Sequence, residues 1–156
     1  MSTTILNVPE AKELRTRDLI RYITNTHHKA EENLIQEIDQ YMRILMKVHY
    51  DSHGPELAAI YKKFLEFHGE LAEHFAKEER DEFIKIRDGK SFRKDLLLEE
   101  HARILQLTDE LSDLTDGFTP PADGCETYQA TFQSMDALVQ DIKHHFELES
   151  EVLFAA

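Results

Sequence analysis

A pattern of ten residues that occurs twice constrains the fold of this chain more than any other feature of its sequence. The segments HFAKEERDEF and HFELESEVLF begin at His74 and His145 and share His, Phe, Glu and a closing Phe at identical spacing. In a helix, residues four apart lie one above the other, so the imidazole and carboxylate of each His-x-x-x-Glu turn can reach the same metal ion. The repeat therefore predicts a two-metal site inside a helical bundle, with Glu78 and Glu149 as its carboxylates.

The His-x-x-x-Glu spacing alone is a weak signal. The chain has nine His and 31 Asp and Glu residues, and two further matches, His27/Glu31 and His28/Glu32, occur near its N-terminus. A single His on an apolar helical face is more often an ordinary core residue than a ligand. The two central copies stand out because they share their surroundings and their height in the predicted bundle. Burying their carboxylates and imidazoles without a partner would be costly.

Length and composition fit one soluble globular domain. The 156 residues are 41% hydrophobic and 31% charged, and the single Cys125 excludes an internal disulfide and suits a reducing cytoplasm. A net charge of -13 argues against nucleic acid and anionic membrane partners, whose phosphates would repel the chain. No apolar run approaches the roughly 20 residues that span a bilayer, and the N-terminus has no secretion signal. We therefore expect a cytoplasmic protein with no nucleic acid and no membrane partner.

Four stretches of apolar residues with helical spacing predict four long helices, and no stretch shows the alternation of a buried strand. The helices are predicted to run from about Thr16 to Tyr50, from Pro55 to Arg87, from Ser91 to Thr115 and from Cys125 to Phe154. Mostly short connections favour an all-α, antiparallel up-down-up-down four-helix bundle at residues 17–156. Residues 1–16 are expected to form an N-terminal tail with no clear element.

The predicted helix ends depend on local signals. The segment DSHGP at residues 51–55 and the pair Asp88-Gly89 are breakers, and the longest loop, at residues 116–124, contains two Gly and two Pro. Thr16 and Ser91 are predicted to cap the first and third helices.

Residues that share a site in a bundle must lie at the same height on their helices. Counted from the connecting turns, His101 is level with His74, and so are the neighbours His27 and His28 on the first helix. His145 lies at a similar distance from the opposite ends. The apolar stripe places His27 nearer the middle of the buried face, so the choice between these neighbours stays open. The predicted ligand set is His28, or His27 in its place, with His74, Glu78, His101, His145 and Glu149.

The same counting removes other histidines from the site. His49 lies 21 residues beyond His28, which corresponds to roughly 30 Å along a straight helix. His49 and His53 are therefore interpreted as turn residues. His68 lies on a different face of its helix, and His144 points away from the site and is expected to be solvated.

Mixed imidazole and carboxylate ligands favour iron or manganese, whereas structural zinc sites more typically use Cys. If both Glu residues bridge, each metal receives two imidazoles and two carboxylate oxygens. An oxo or hydroxo bridge makes five ligands and leaves one position per metal for oxygen, nitric oxide or water. A ferritin-like bundle would use Glu-x-x-His motifs, and no Glu stands three residues before any His here.

These residues in this order resemble the hemerythrin-like domains, and most closely the di-iron proteins called RIC, for repair of iron centres. The resemblance covers about residue 17 to the end and is carried by the motifs HHKAEENL, AEHFAKEERDEF, LEEHARIL and HHFELESEVLF and by the loop FTPPADGCETY. In that family the ligand of the first helix is followed 21 residues later by a Val-His pair, which is Val48-His49 here. The resemblance therefore favours His28 over His27.

The resemblance implies a non-haem centre of two iron ions bridged by carboxylates and an oxo or hydroxo group. The implied function is iron handling in the repair of iron-sulfur clusters under nitrosative or oxidative stress, with iron-sulfur proteins as iron acceptors and O2 or NO as small ligands. The alternative is a hemerythrin-like module that binds or senses oxygen or nitric oxide. Glu70 and Glu100 match positions of carboxylates that orient the imidazole ligands.

Two departures from related proteins bear on this interpretation. Full-length RIC proteins carry a small Cys-containing domain before the bundle, and residues 1–16 contain no Cys and are too short for one. Respiratory hemerythrins place two His four apart on the third helix, where this chain has only His101 with Leu97 and Leu105 around it. Four imidazoles should hold iron less firmly than five, which favours iron donation over reversible oxygen carriage.

Overall fold

Helices account for nearly all of the chain in the computed structural model, which describes residues 5–155 and has no β-strand in that range. This confirms the predicted all-α class. A short helix, α1 (Val8–Lys12), precedes four long helical rods. Rod 1 comprises α2 (Thr16–Tyr22), the π-helix π1 (Ile23–His28) and α3 (Lys29–Val48), and rod 2 comprises α4 (Tyr50–Lys77), π2 (Glu78–Glu82) and α5 (Phe83–Arg87). Rod 3 is α6 (Lys94–Leu114), and rod 4 comprises α7 (Glu126–Leu148) and π3 (Glu149–Leu153).

Contacts between the rods close a ring. α3 packs against both α4 and α7, and α6 packs against both α4 and α7. Rods that follow one another in the chain are thus neighbours in space, as an up-down-up-down order requires. No helix within residues 5–155 has the length and apolar character needed to cross a membrane.

The first turn is tighter than predicted. α3 ends at Val48 and α4 already begins at Tyr50, so the predicted breaker at residues 51–55 lies inside the first turns of rod 2. The backbone leaves helical geometry at His49 (φ -108°, ψ 17°) and again at His53 (φ -134°, ψ 16°). Pro55 follows this second kink at a helix start, where its missing N–H costs no helical hydrogen bond.

Two predicted caps are wrong. The N-cap residues of α2 and α6 are Arg15 and Arg93, not Thr16 and Ser91, and neither makes a side-chain capping hydrogen bond. The predicted end of rod 2 is correct: Gly89 adopts φ 70°, a left-handed conformation that ends a helix at little cost for a residue without Cβ.

The prediction that the N-terminal tail lacks a clear element is also wrong for its described part, residues 5–16. Asn7 accepts a hydrogen bond from the Glu10 backbone, and the Glu10 side chain accepts one from the Asn7 backbone. This capping box, with Pro9 in the first turn, begins α1. Ala11 is fully buried where α1 packs on rod 4. Residues 1–4 of the predicted tail lie outside the described residues.

Two apolar clusters fill the bundle, one on each side of a layer of buried polar residues. The larger cluster includes Ile38, Phe64, Leu107 and Met135 and lies toward the turn between rods 1 and 2. The smaller cluster lies toward α1 and includes Leu19, Ile23, Phe83, Leu97 and Leu153. The polar layer between them contains His28, His74, Glu78, His101, His145 and Glu149, each at most 5% exposed.

Candidate metal centre

The six residues predicted as ligands from the sequence converge in this layer. They form two groups of four, and within each group the donor atoms lie within 4.8 Å of one another. One group consists of His28, His145 and the two glutamates, and the other consists of His74, His101 and the same two glutamates, Glu78 and Glu149. All four rods contribute, and each group draws its imidazoles from two different rods.

Glu78 faces both groups with different oxygens. Its Oε1 lies 3.2 Å from Nε2 of His28, and its Oε2 lies 3.3 Å from Nε2 of His74. The His74–Glu78 pair is the His-x-x-x-Glu turn of rod 2, so helical geometry alone brings these two side chains together. His28 arrives from rod 1, which places one carboxylate between two imidazoles.

Glu149 repeats this arrangement from rod 4. Its Oε2 lies 2.9 Å from Nε2 of His145, which is one helical turn earlier, and its Oε1 lies 2.8 Å from Nε2 of His101 on rod 3. A carboxylate that offers one oxygen to each of two donor groups has the geometry of a bridging ligand. The two glutamates therefore link the groups from opposite sides.

The polar atoms of this layer are poorly satisfied by the protein itself. Buried polar atoms are normally hydrogen-bonded, and exceptions in a native structure call for an explanation. Several polar atoms of the layer lie 2.8 to 3.3 Å from one another without hydrogen-bond geometry. Within residues 5–155, the following buried atoms of the predicted ligands have no hydrogen-bond partner: Nε2 of His28, His74 and His101, both carboxylate oxygens of Glu78, and Oε1 of Glu149. Metal coordination would satisfy them, so these residues fit a pair of cations.

His74 is held from outside the layer by Glu100. Its Nδ1 donates to Oε1 of Glu100 at 2.8 Å, and Lys77 donates to the other oxygen of Glu100. A carboxylate at Nδ1 fixes the ring so that Nε2 points into the layer, toward Glu78. The predicted role of Glu100 thus falls on His74, the imidazole of the neighbouring rod, rather than on the adjacent His101. Glu70, the other predicted carboxylate, makes no hydrogen bond to an imidazole among the described residues.

His145 is held by Glu31, which the sequence analysis treated only as part of a chance match. Nδ1 of His145 donates to the two carboxylate oxygens of Glu31, at 3.0 and 3.2 Å. Glu31 is fully buried, and burial raises its pKa to about 8. Asp141 hydrogen-bonds Nδ1 of His27 at 3.1 Å on the same side of the bundle. The signal that could have identified Glu31 was its place on the buried face, one turn after His27.

Two phenylalanines sandwich each of the remaining imidazoles. His28 stacks on Phe75 (ring centroids 3.9 Å apart) and on Phe83 (5.9 Å). In the other half of the bundle, His101 stacks on Phe146 (3.8 Å) and on Phe154 (5.7 Å). In both halves these residues are the second and tenth of the repeated segment, HFAKEERDEF or HFELESEVLF. The two phenylalanines of each copy therefore position an imidazole from the preceding rod.

Burial and the neighbouring charges have opposite effects on the pKa values of the residues in this layer. Burial lowers the pKa of His74, but the carboxylates of Glu78 and Glu149 outweigh it and raise this pKa to about 10. Burial raises the pKa of Glu149, but the charge of His145, together with hydrogen bonding from the imidazoles that surround the carboxylate, holds this pKa well below its usual range. The protons of the layer are thus held by the imidazoles, whose nitrogens a cation would need, so metal binding should release protons.

The structure places His28 rather than His27 against the glutamates. Both side chains are buried, but Nε2 of His28 faces Glu78 whereas Nδ1 of His27 faces Asp141. Both residues lie at the end of π1. The buried position that the apolar stripe predicts for His27 is therefore correct, although its imidazole faces Asp141 and not the glutamates of the layer. Glu78 is the first residue of π2 and Glu149 is the first residue of π3, so all three π-helices begin or end at a residue of the layer.

The histidines excluded by the sequence analysis lie elsewhere. His49 contacts Sγ of Cys125 at 3.2 Å, and His53 contacts Asp123 at 2.9 Å, both near the turn between rods 1 and 2. The expectation that His144 is solvated is wrong, because this residue is half-buried and donates to the Leu6 carbonyl at 2.6 Å.

Comparison with known proteins identifies the family. The profile described as the Hemerythrin HHE cation binding domain matches residues 18–156. The chain belongs to the hemerythrin HHE family. Its similar proteins include the iron-sulfur cluster repair protein ScdA of Staphylococcus epidermidis, 28% identical over 92% of this chain and 67% of the relative. The iron-sulfur cluster repair protein YtfE of an Enterobacter species is 30% identical over 94% of this chain and 69% of the relative.

Membership of the hemerythrin HHE family agrees with the geometry of the layer, because a cation-binding domain needs buried donors of this kind. A third similar protein, the iron-sulfur cluster repair protein YtfE of Cronobacter sakazakii, is 28% identical over 88% of this chain and 63% of the relative. The names of these relatives favour the repair interpretation over the alternative of an oxygen or nitric oxide module.

Proposed function

We propose that this chain holds two iron ions in the buried layer and supplies iron for the repair of iron-sulfur clusters under nitrosative or oxidative stress. The observation that carries the proposal is that Glu78 and Glu149 each face an imidazole of one group with one carboxylate oxygen and an imidazole of the other group with the second oxygen. Two carboxylates shared in this way hold a pair of ions close together. The names of the similar proteins supply the biological context, repair of iron-sulfur clusters.

Iron fits the donor set better than a structural zinc ion does. Each group offers two imidazoles and two carboxylates and no thiolate, whereas structural zinc sites are typically rich in Cys. The single Cys125 lies near the opposite turn, in contact with His49. Bound iron would have open coordination positions for small ligands such as O2 or NO. The iron ions themselves could be transferred to an acceptor protein.

The residues of the layer have distinct roles in this proposal. The two glutamates neutralise charge between the ions and link them, and the four imidazoles complete the two groups. Glu100 and Glu31 hold His74 and His145 in the orientation that presents Nε2. The proposed acceptors are iron-sulfur proteins, and the proposed location is the cytoplasm, whose reducing conditions keep both iron and a free thiol reduced.

Metal analysis is the first test. Chain loaded with ferrous iron under anaerobic conditions and freed of excess metal should retain about two ions, as a pair of groups sharing bridging carboxylates requires. His28→Gln should lose about half of this iron because only one group contains His28. His27→Gln should retain all of it, since His27 faces Asp141. A chain without iron, or with a single zinc ion, would contradict the proposed centre.

Iron transfer is the second test. The loaded protein is mixed with a metal-free iron-sulfur apoprotein and sulfide, and a protein-free ferrous salt serves as the control. We expect cluster formation in the acceptor to match the iron lost from the chain. If the chain keeps its iron while it binds oxygen or nitric oxide reversibly, the alternative function replaces the proposed one.

A further inference from the structure

A groove between α3 and α4 runs beside the candidate metal centre. Its volume is about 350 Å³. Its base is formed by the buried residues Ile35, Leu71 and Phe75, and its partly exposed lining includes Glu32, His68 and Glu79. The groove therefore combines an apolar base with the two donor types, carboxylate and imidazole, that the centre itself uses.

The groove is separated from the centre by the thickness of one side chain. Phe75, at its base, stacks on His28 with ring centroids 3.9 Å apart. Oε1 of Glu79 lies 3.7 Å from Nδ1 of His28, too far for a hydrogen bond. The Glu79 side chain is 35% exposed, so it contacts solvent while it also lies next to His28 of the candidate metal centre.

His28 is the imidazole of its group whose Nδ1 has no carboxylate within hydrogen-bond distance. His145, its partner in that group, donates its Nδ1 proton to Glu31 at 3.0 Å, and His74 in the other group donates to Glu100 at 2.8 Å. Nδ1 of His28 is buried and has no hydrogen-bond partner within residues 5–155. Apart from Glu78, whose Oε1 lies 3.2 Å from Nε2, the His28 ring is held by stacking, so it can swing more easily than an imidazole that is hydrogen-bonded at Nδ1.

The repeat is broken at the residue that faces the groove. Glu79 is the sixth residue of HFAKEERDEF, and the sixth residue of HFELESEVLF is Ser150. The Ser150 hydroxyl donates to the Phe146 carbonyl at 2.8 Å. The half of the bundle that contains His101 thus has no carboxylate at this position, although the phenylalanine pairs of the two halves match.

We propose that the ion held by His28 and His145 is the exchangeable one, and that it leaves through this groove with Glu79 as its first receiving carboxylate. The inference rests on the two-metal centre of the proposed function. His28 can turn away from the ion because no carboxylate holds its Nδ1. Glu79 then offers a negatively charged oxygen next to it, and Glu32 and His68 offer further donors along the groove. The groove lining holds the carboxylates of Glu32 and Glu79 against the guanidinium of Arg80, and the chain as a whole has a net charge of -13, so the charge balance favours a cation along this route.

Release kinetics test the proposal. Protein loaded anaerobically with ferrous iron is mixed with excess of a colorimetric ferrous chelator, and iron release is followed by absorbance. The wild type should release iron in two phases of equal amplitude. Glu79→Gln should slow the faster phase about tenfold, because the amide lacks the negative charge that attracts the departing ion. The slower phase and the total amount of bound iron should stay the same.

Two further variants separate the proposed role from general effects of charge. Glu147→Gln removes one negative charge from an exposed position of the other copy of the repeat and should leave both phases unchanged. Glu79→Ser introduces at position 79 the serine that the second copy of the repeat has at Ser150. It should slow the faster phase as much as Glu79→Gln does.

Four outcomes would overturn the inference. Faster release from Glu79→Gln would mean that Glu79 anchors His28, and an equal slowing in Glu147→Gln would mean that only charge matters. Unchanged kinetics in Glu79→Gln, with two ions bound, would contradict the inference but leave the proposed function intact. A wild type that retains fewer than two ions would contradict the proposed centre itself, and with it this inference.

Discussion

His101 and Phe146 stack face to face, with ring centroids 3.8 Å apart and ring planes 2° from parallel. Their counterparts, His28 and Phe75, stack at 3.9 Å and 18°. In each case the phenylalanine directly follows a histidine of the centre and packs on an imidazole from the rod before it in the chain. The Phe of the repeated His-Phe pair is therefore a part of the centre rather than an ordinary core residue.

Truncation of this ring should destabilise the metal-free protein. Phe146 is 3% exposed, so Phe146→Ala should lower the free energy of unfolding by about 3–5 kcal/mol through lost burial and a cavity. Urea unfolding followed by circular dichroism measures the change. Leu65→Ala is the control, because Leu65 is 46% exposed and its loss should change the stability by less than about 0.5 kcal/mol. Equal losses in the two variants would refute the role of the stack.

The two types of ligand should respond differently to mutation. Glu149→Gln removes a carboxylate that faces both donor groups, so iron should be lost from both. His101→Gln changes only one group and should remove about half of the iron, because the other group keeps all four donors. Iron per chain after gel filtration measures both effects. Equal iron contents in the two variants would show that Glu149 does not bridge.

The two carboxylates suggested by family resemblance should differ sharply. Glu100→Ala removes the hydrogen-bond acceptor of His74 and should weaken metal binding about 10- to 100-fold. Glu70→Ala removes a carboxylate one helical turn before His74 that makes no hydrogen bond to an imidazole among the described residues. It should bind metal like the wild type. Competition with a chelator of known affinity measures both, and a loss of affinity in Glu70→Ala would place Glu70 in the centre.

The sequence was sufficient for the parts of the structure that depend on helical periodicity. The four rods and the level of His28, His74, His101 and His145 follow from apolar spacing and from distances to the turns. Residues that depend on contact between rods were harder to identify. Glu31 is one example, because its partner His145 lies 114 positions away and only the packed bundle joins them.

Local exceptions to helical geometry account for most of the remaining errors. The π-helices π1, π2 and π3 interrupt rods that the 3.6-residue period treats as uniform, and π1 contains the buried neighbours His27 and His28, between which helical periodicity did not decide. The kink at His53 allows helical turns inside a segment rich in breakers. α1 was missed because its signal, the Asn7–Glu10 capping box, is short and lacks an apolar stripe.

The pH dependence of stability should report the burial of Glu31. The folded protein raises the pKa of Glu31 from 4.5 to about 8, with burial as the largest cause. Between these values the folded state binds more protons at this group than the unfolded state does. Its contribution to stability is therefore fully present below about pH 4.5 and is lost as the pH rises through about 8.

Glu31→Gln should remove this part of the pH dependence, because an amide does not titrate and its oxygen can still accept the hydrogen bond from His145. Urea unfolding of the metal-free proteins across this pH range measures it, with Glu147→Gln as a control for the loss of an exposed carboxylate. Relative to the wild type, Glu31→Gln should become progressively more stable toward the alkaline end, while the control should track the wild type. Parallel curves for the wild type and Glu31→Gln would show that Glu31 is ionised in the folded protein at neutral pH, held in that state by the imidazolium of His145.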